Sequence, residues 1–201
     1  AACVWKDATA GGRLENFIEK ASKSAPSAVE SVAAALFEHH AMLRMTFDYY
    51  AATMGSGTDI FCMSLNGYLE WINHCHIATP TGNTQHAHLQ QLFIAVNAPV
   101  NGRRKSVHDT KHTLTRAEFT EGIIRIAVAR YLQTGEATDI ADAVHKLADM
   151  METHLPSAAK QNMNSFRREN CYVFFTTSVI ERHSASLQAV FSAYAASGED
   201  G

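Results

Sequence analysis

The sequence predicts an all-α protein, and three observations carry that prediction. Nearly every long segment repeats its apolar residues at the spacing of one helix face. No run alternates apolar and polar residues for long enough to build a sheet. Helix-starting residues, Ser64, Thr115 and Asp139, stand directly ahead of periodic segments, and the breakers Pro80, Pro99, Gly135 and Pro156 follow such segments.

Taken in order, residues 13–23 read as a short helix that the run Ser24-Ala25-Pro26-Ser27 ends. Residues 28–53 read as one long helix with Val29, Val32, Leu36, His40, Leu43, Phe47 and Tyr50 on a stripe. Two glycines and small polar residues make 54–59 a loop, after which Ser64 caps a helix over 65–77. Pro80-Thr81-Gly82-Asn83 breaks the chain again. Thr84 is the expected cap of the next helix, which carries Leu89, Leu92, Phe93 and Val96 and stops before Pro99. Residues 101–113 are polar and basic. Thr115-Arg116-Ala117-Glu118 then has the arrangement in which the cap and the third helical residue satisfy each other's free amides, and it opens a helix over 116–132. Gly135 closes that helix, and Asp139 opens another through Ala143, Leu147 and Met151 to Leu155-Pro156. Residues 173–179 have the composition of a strand. The helical period running on through Ile180, Leu187, Phe191 and Tyr194 assigns them to a helix within 166–196.

Composition narrows the function. A chain of 201 residues with 46% hydrophobic and 18% charged residues, 4 Pro and 11 Gly has enough apolar content for a core, and is neither collagenous nor disordered. Its net charge of −3 argues against a nucleic-acid binder, and no stretch reaches the ~20 apolar residues of a membrane span. Cys3, Cys62, Cys75 and Cys171 form no CxxC pair, so reduced thiols and an intracellular setting are expected. The first residues lack the basic-then-apolar order of a signal peptide, which reads as a piece of a longer intracellular polypeptide.

Three segments share a pattern. Leu43, Phe47 and Tyr50, then Leu89, Phe93 and Val96, then Leu187, Phe191 and Tyr194 each stand at i, i+4 and i+7. After the first two comes a polar loop, an apolar residue, and a helix whose first turn holds an aromatic: Met63 then Tyr68, and Leu114 then Phe119. This tandem order resembles an EF-hand pair of the calmodulin kind. The resemblance implies an EF-hand-like helix-loop-helix pair over 28–134, an N-terminal helical segment over 1–27, and a C-terminal helical extension over 135–201 that looks like the start of a further unit. It also implies that the two loops pair through Met63 and Leu114. Met63-Ser64-Leu65-Asn66-Gly67-Tyr68 and the run from Arg116 to Ala127 are similar to degenerate EF-hand modules of large flagellar and cytoskeletal proteins.

The calcium ligands depart from the family. A binding loop needs carboxylates at its first, third and fifth positions and a bidentate Glu at its twelfth, because a hard cation takes six or more oxygens. The first loop has Ala51 and Gly67 at those ends and is five residues too long; the second keeps Asn97 and Glu118 but carries ten extra residues, including Arg103, Arg104 and Lys105. No calcium, metal or other cofactor is therefore expected.

Other chemistry weighs less. His74-Cys75-His76, His86-x-His88 and His108-x-x-x-His112 supply zinc-type donors, yet they recur at no finger spacing. Cys62 or Cys75 beside a His could pair nucleophile with base, but buried inert Cys is far commoner. No catalytic constellation is announced, and the chain is read as a non-enzyme. The expectation is a structural or scaffolding module of a cytoskeletal or ciliary assembly, with other proteins, tubulin among them, as partners. Arg103, Arg104, Lys105 and Lys111 are expected to contact an acidic one. A calcium-regulated adaptor is the alternative, and a metal-dependent hydrolase using the His clusters the second.

Overall fold

The computed structural model describes residues 2–23, 25, 27–53, 61–98 and 113–196, which are helical apart from one two-residue ladder and the connections. Helix α1 spans Ala2–Thr9, α2 Arg13–Ala21, α3 Ala28–Glu38, α4 His40–Thr53, α5 Leu65–His74 and α6 His86–Asn97. Helix α7 spans Arg116–Ala127 and runs on as one π-helical turn over Val128–Leu132, and α8 covers Ile140–His154. The short α9, Met163–Phe166, and a second π-turn precede α10, Phe174–Ala196. The strands are β1, Met63–Ser64, and β2, Thr113–Leu114.

The caps act where the sequence puts them. Ser64 Oγ accepts from the amide of Gly67 at 3.1 Å, and Asp139 Oδ1 accepts from that of Asp142 at 2.9 Å. Thr115 and Glu118 close a full capping box: the Glu118 amide donates to Thr115 Oγ1, and the Thr115 amide to Glu118 Oε2. Gly135 sits at φ 78°, the left-handed conformation that ends the turn after α7 and that a residue with a Cβ adopts only at a cost.

Two expectations are corrected. Residues 28–53 are two helices, because His39 turns at φ −92°, ψ 6° between α3 and α4. That break lets α3 lie along α8 while α4 packs against α5 and α7, and it leaves His40 exposed instead of on the stripe. Thr84 is not a cap: α6 starts after Gln85, and the Thr84 hydroxyl bonds that of Thr79 across 2.6 Å. Residues 2–9 form helix α1 ahead of α2, within the N-terminal segment read as helical.

The chain divides into two compact units, Ala1–Lys160 and Gln161–Gly201. In the first unit, residues expected to flank the central pair belong to its core. Leu14 and Ile18 of α2 and Ala143, Val144 and Leu147 of α8 are buried with Phe47, Tyr68 and Trp71. The reason is apolar supply: α2 and α8 are amphipathic, and each can hide its stripe only against the central helices. The second unit consists of α9, its π-turn and α10. Among the described residues, no helix is long and apolar enough to cross a membrane.

Candidate functional site

Two copies of one local arrangement form the centre of the first unit: α4, a connection, β1 and α5, then α6, a connection, β2 and α7. Strands β1 and β2 pair antiparallel, with Met63 opposite Leu114 and Ser64 opposite Thr113. Both Met63 and Leu114 are fully buried. Capped helices leave each strand directly, so the ladder fixes where α5 and α7 begin.

The four helices are joined by a line of aromatic rings. Phe47 of α4 meets Phe119 of α7 at 5.6 Å between centroids, Phe119 meets Trp71 of α5 at 5.0 Å, Trp71 meets Tyr68, and Tyr68 meets Phe93 of α6 at 5.2 Å. Tilted and edge-on pairs at these separations contribute roughly 0.5–1.5 kcal/mol each beyond their burial. The Tyr68 hydroxyl donates to the carbonyl of Leu89, and burial raises its pKa.

Charged groups close the helix ends. Arg13 of α2 donates to the carbonyls of Val96 and Ala98 at 2.7 and 2.9 Å, where α6 stops, and to Glu121 Oε2 at 2.6 Å. Glu121 is buried and also takes Arg125 at 2.8 Å, so its charge is compensated twice. Arg130, carried on the π-turn, donates to the carbonyl of Ile77 at 2.6 Å. Arg13 and Arg130 meet carbonyls 53 or more residues away in sequence, so only the fold brings these partners within reach.

The residues just after the two strands are closely engaged. At Gly67 a Cβ would come within 2.7 Å of the Tyr50 carbonyl oxygen, so α5 crosses α4 closely enough that no side chain fits. Glu118 Oε2 is engaged by its own cap, accepting from the Thr115 amide at 2.9 Å and its hydroxyl at 3.0 Å. Arg103, Arg104, Lys105 and Lys111 lie outside the described residues, as do His108 and His112.

A groove of about 800 Å³ opens between α1, α3, α4 and α7. Its apolar wall is Trp5, Phe37, Leu43, Phe47 and Phe119, and Arg44 and Arg116 stand in its lining. Asp48 holds both arginines, Arg116 at 2.8 Å and Arg44 at 3.6 Å, while most of the Arg44 side chain faces solvent. The Arg116 guanidinium also lies over the Phe47 ring.

The histidines that stand together in the sequence separate in the fold. His74 Nδ1 faces the Tyr50 hydroxyl at 2.7 Å, His76 stacks edge-on against His154, and His88 Nδ1 approaches the Gly82 carbonyl at 3.1 Å. Burial is the main cause that raises the Tyr50 pKa. Burial pushes the Cys75 thiol up to about 12, which keeps it protonated and unreactive at neutral pH. Among the described residues, the group of three ligand-type side chains that converges is another one, Glu38, His39 and His145.

The chain matches no protein-family model, no curated protein and no solved structure.

Proposed function

We propose that the first unit is built on an EF-hand-like pair that works without calcium as a structural, protein-docking module. The observation that carries the reading is the antiparallel ladder that sets Met63 opposite Leu114 between two tandem helix-loop-strand-helix units. A calcium sensor needs anchor carboxylates at its loop ends, and here one end is Gly67, where a side chain would strike the Tyr50 carbonyl. What remains useful is surface. The groove offers apolar wall to the apolar face of a partner helix, and its lining mixes charges, Arg44 and Arg116 held by Asp48 beside Glu38 and His40, so the contact rests first on that wall. Arg103, Arg104, Lys105 and Lys111 give the second connection a preference for an acidic partner. The resemblance to flagellar and cytoskeletal modules makes a microtubule surface the first partner to try.

Calorimetric titration of the metal-stripped chain with calcium tests the first half of this reading. No site heat is expected up to millimolar calcium, and a saturable transition at micromolar calcium would replace it with a calcium-regulated adaptor. Co-sedimentation with microtubules tests the second half. Arg44→Glu with Phe37→Ser, both on exposed side chains, should weaken binding by tenfold or more and leave the helical signal intact. Binding that survives both that variant and charge reversal at 103–105 would remove these surfaces from the docking role.

A further inference from the structure

We propose that Glu38, His39 and His145 form a binding site for a divalent metal ion of the zinc class. Glu38 ends α3, His39 is the turn between α3 and α4, and His145 lies on α8, the helix packed along α3. The ligand atoms of all three fall within 4.8 Å of one another, although His145 is 106 residues from His39 in sequence. His39 Nε2 and His145 Nδ1 stand 2.9 Å apart with the rings at 71°. Two ring nitrogens thus point at one spot.

In the neutral pair that spot holds one proton, carried by one ring and accepted by the other. A metal ion takes the place of the proton, which moves to the far nitrogen of the same ring, so the exchange needs no net release. Tetrahedral zinc with Zn–N of 2.0–2.1 Å holds its ligands about 3.3 Å apart, so the nitrogens open by about 0.4 Å and both rings tilt until their lone pairs converge beside the line that now joins them. Glu38 is exposed, and its carboxylate is free to swing the remaining distance.

Two imidazoles and one carboxylate leave a fourth position for water or a partner's side chain. The donor set selects zinc, copper or nickel over calcium or magnesium, which want oxygen. The site spans the helix break, so an ion there clamps α8 to the turn that lets α3 and α4 diverge. His74, His76 and His88 each have a different neighbour, so they do not compete for the same ion.

The test uses the full chain, stripped of metal and titrated with zinc by calorimetry and with cobalt by visible absorption. One ion per chain, the intense cobalt bands of a four-coordinate site and a rise in Tm on zinc addition are expected. His39→Gln and His145→Gln should each weaken binding at least tenfold and abolish those bands; Glu38→Gln should weaken it less, and His86→Ala with His88→Ala should leave it unchanged. Circular dichroism of each variant checks folding, and where His145→Gln does not fold, His39→Gln and Glu38→Gln decide. No zinc binding, or binding that the His39 and Glu38 variants leave intact, overturns the site. The calcium experiment reads the loops and is independent of this one.

Discussion

Helices α4 and α10 carry the same phrase, Leu-x-x-x-Phe-x-x-Tyr-Ala, and meet opposite fates. Leu43, Phe47 and Tyr50 of α4 are 9%, 1% and 0% exposed, whereas Leu187, Phe191 and Tyr194 of α10 are 53%, 73% and 77% exposed. Sequence period shows which face of a helix is apolar; it carries no information about whether anything covers that face. In α4 the cover comes from rings on other helices, Phe119 above all. Burying such a side chain stabilises by roughly 1.5–3 kcal/mol, so the three covered in α4 contribute several kcal/mol.

The largest expected effect breaks this comparison if it fails. Leu114→Asp places a charge in the fully buried ladder opposite Met63, and it should cost roughly 3 kcal/mol or more in urea unfolding. Leu187→Asp, the same chemical change on the exposed face of α10, should stay within about 0.5 kcal/mol of the parent. Equal losses at both positions would mean that this face of α10 is covered in solution.

A smaller effect sharpens the same lesson with two glycines. Gly67→Ala drives a Cβ against the Tyr50 carbonyl and should cost roughly 1–2 kcal/mol. Gly122→Ala, on α7, meets nothing nearer than the tip of Leu92 at 3.9 Å, and should be neutral or gain up to about 1 kcal/mol from helix propensity. Both are helical and buried, so only the distance to the neighbouring backbone separates them.

What could be read from the chain follows this division between local and distant causes. The starts of α5, α7 and α8 were legible because Ser64, Thr115 with Glu118, and Asp139 act on amides three residues away. The helical identity of 174–179 was legible because the period continues beyond it. The break at His39 was not, since no Gly or Pro marks it and it shows only in the packing, with α3 on α8 and α4 on α5 and α7. Nor was the group Glu38, His39 and His145, because His145 is 106 residues from His39 and reaches it only when α8 packs. The adjacent histidines 74 and 76 drew attention in the sequence instead. Helix α5 ends at His74, which meets Tyr50, while His76 lies in the following turn at φ 52° and meets His154.

The smallest expected effect asks whether cover, and not membership of the first unit, sets the energy. Asp142 belongs to that unit but stands half-exposed at the start of α8. Lys146 at 2.8 Å and the Thr138 amide at 2.9 Å hold its carboxyl below the usual Asp range, the lysine hydrogen bond being the larger cause. The folded chain therefore binds this proton less readily than the unfolded chain does. The resulting stability is present in full above the ordinary Asp pKa of ~3.9 and is lost as pH falls through the lower folded value. Asp142→Asn keeps a carbonyl oxygen for the Thr138 amide and removes the charge that Lys146 meets. Unfolding midpoints of parent and variant should differ slightly at pH 6 and converge on acidification, with a gap at pH 6 smaller than that for Gly67→Ala because solvent screens a half-exposed pair. A gap as large as that of Leu114→Asp, or one that persists unchanged into acid, would show that exposure is not what separates strong contacts from weak ones in this chain.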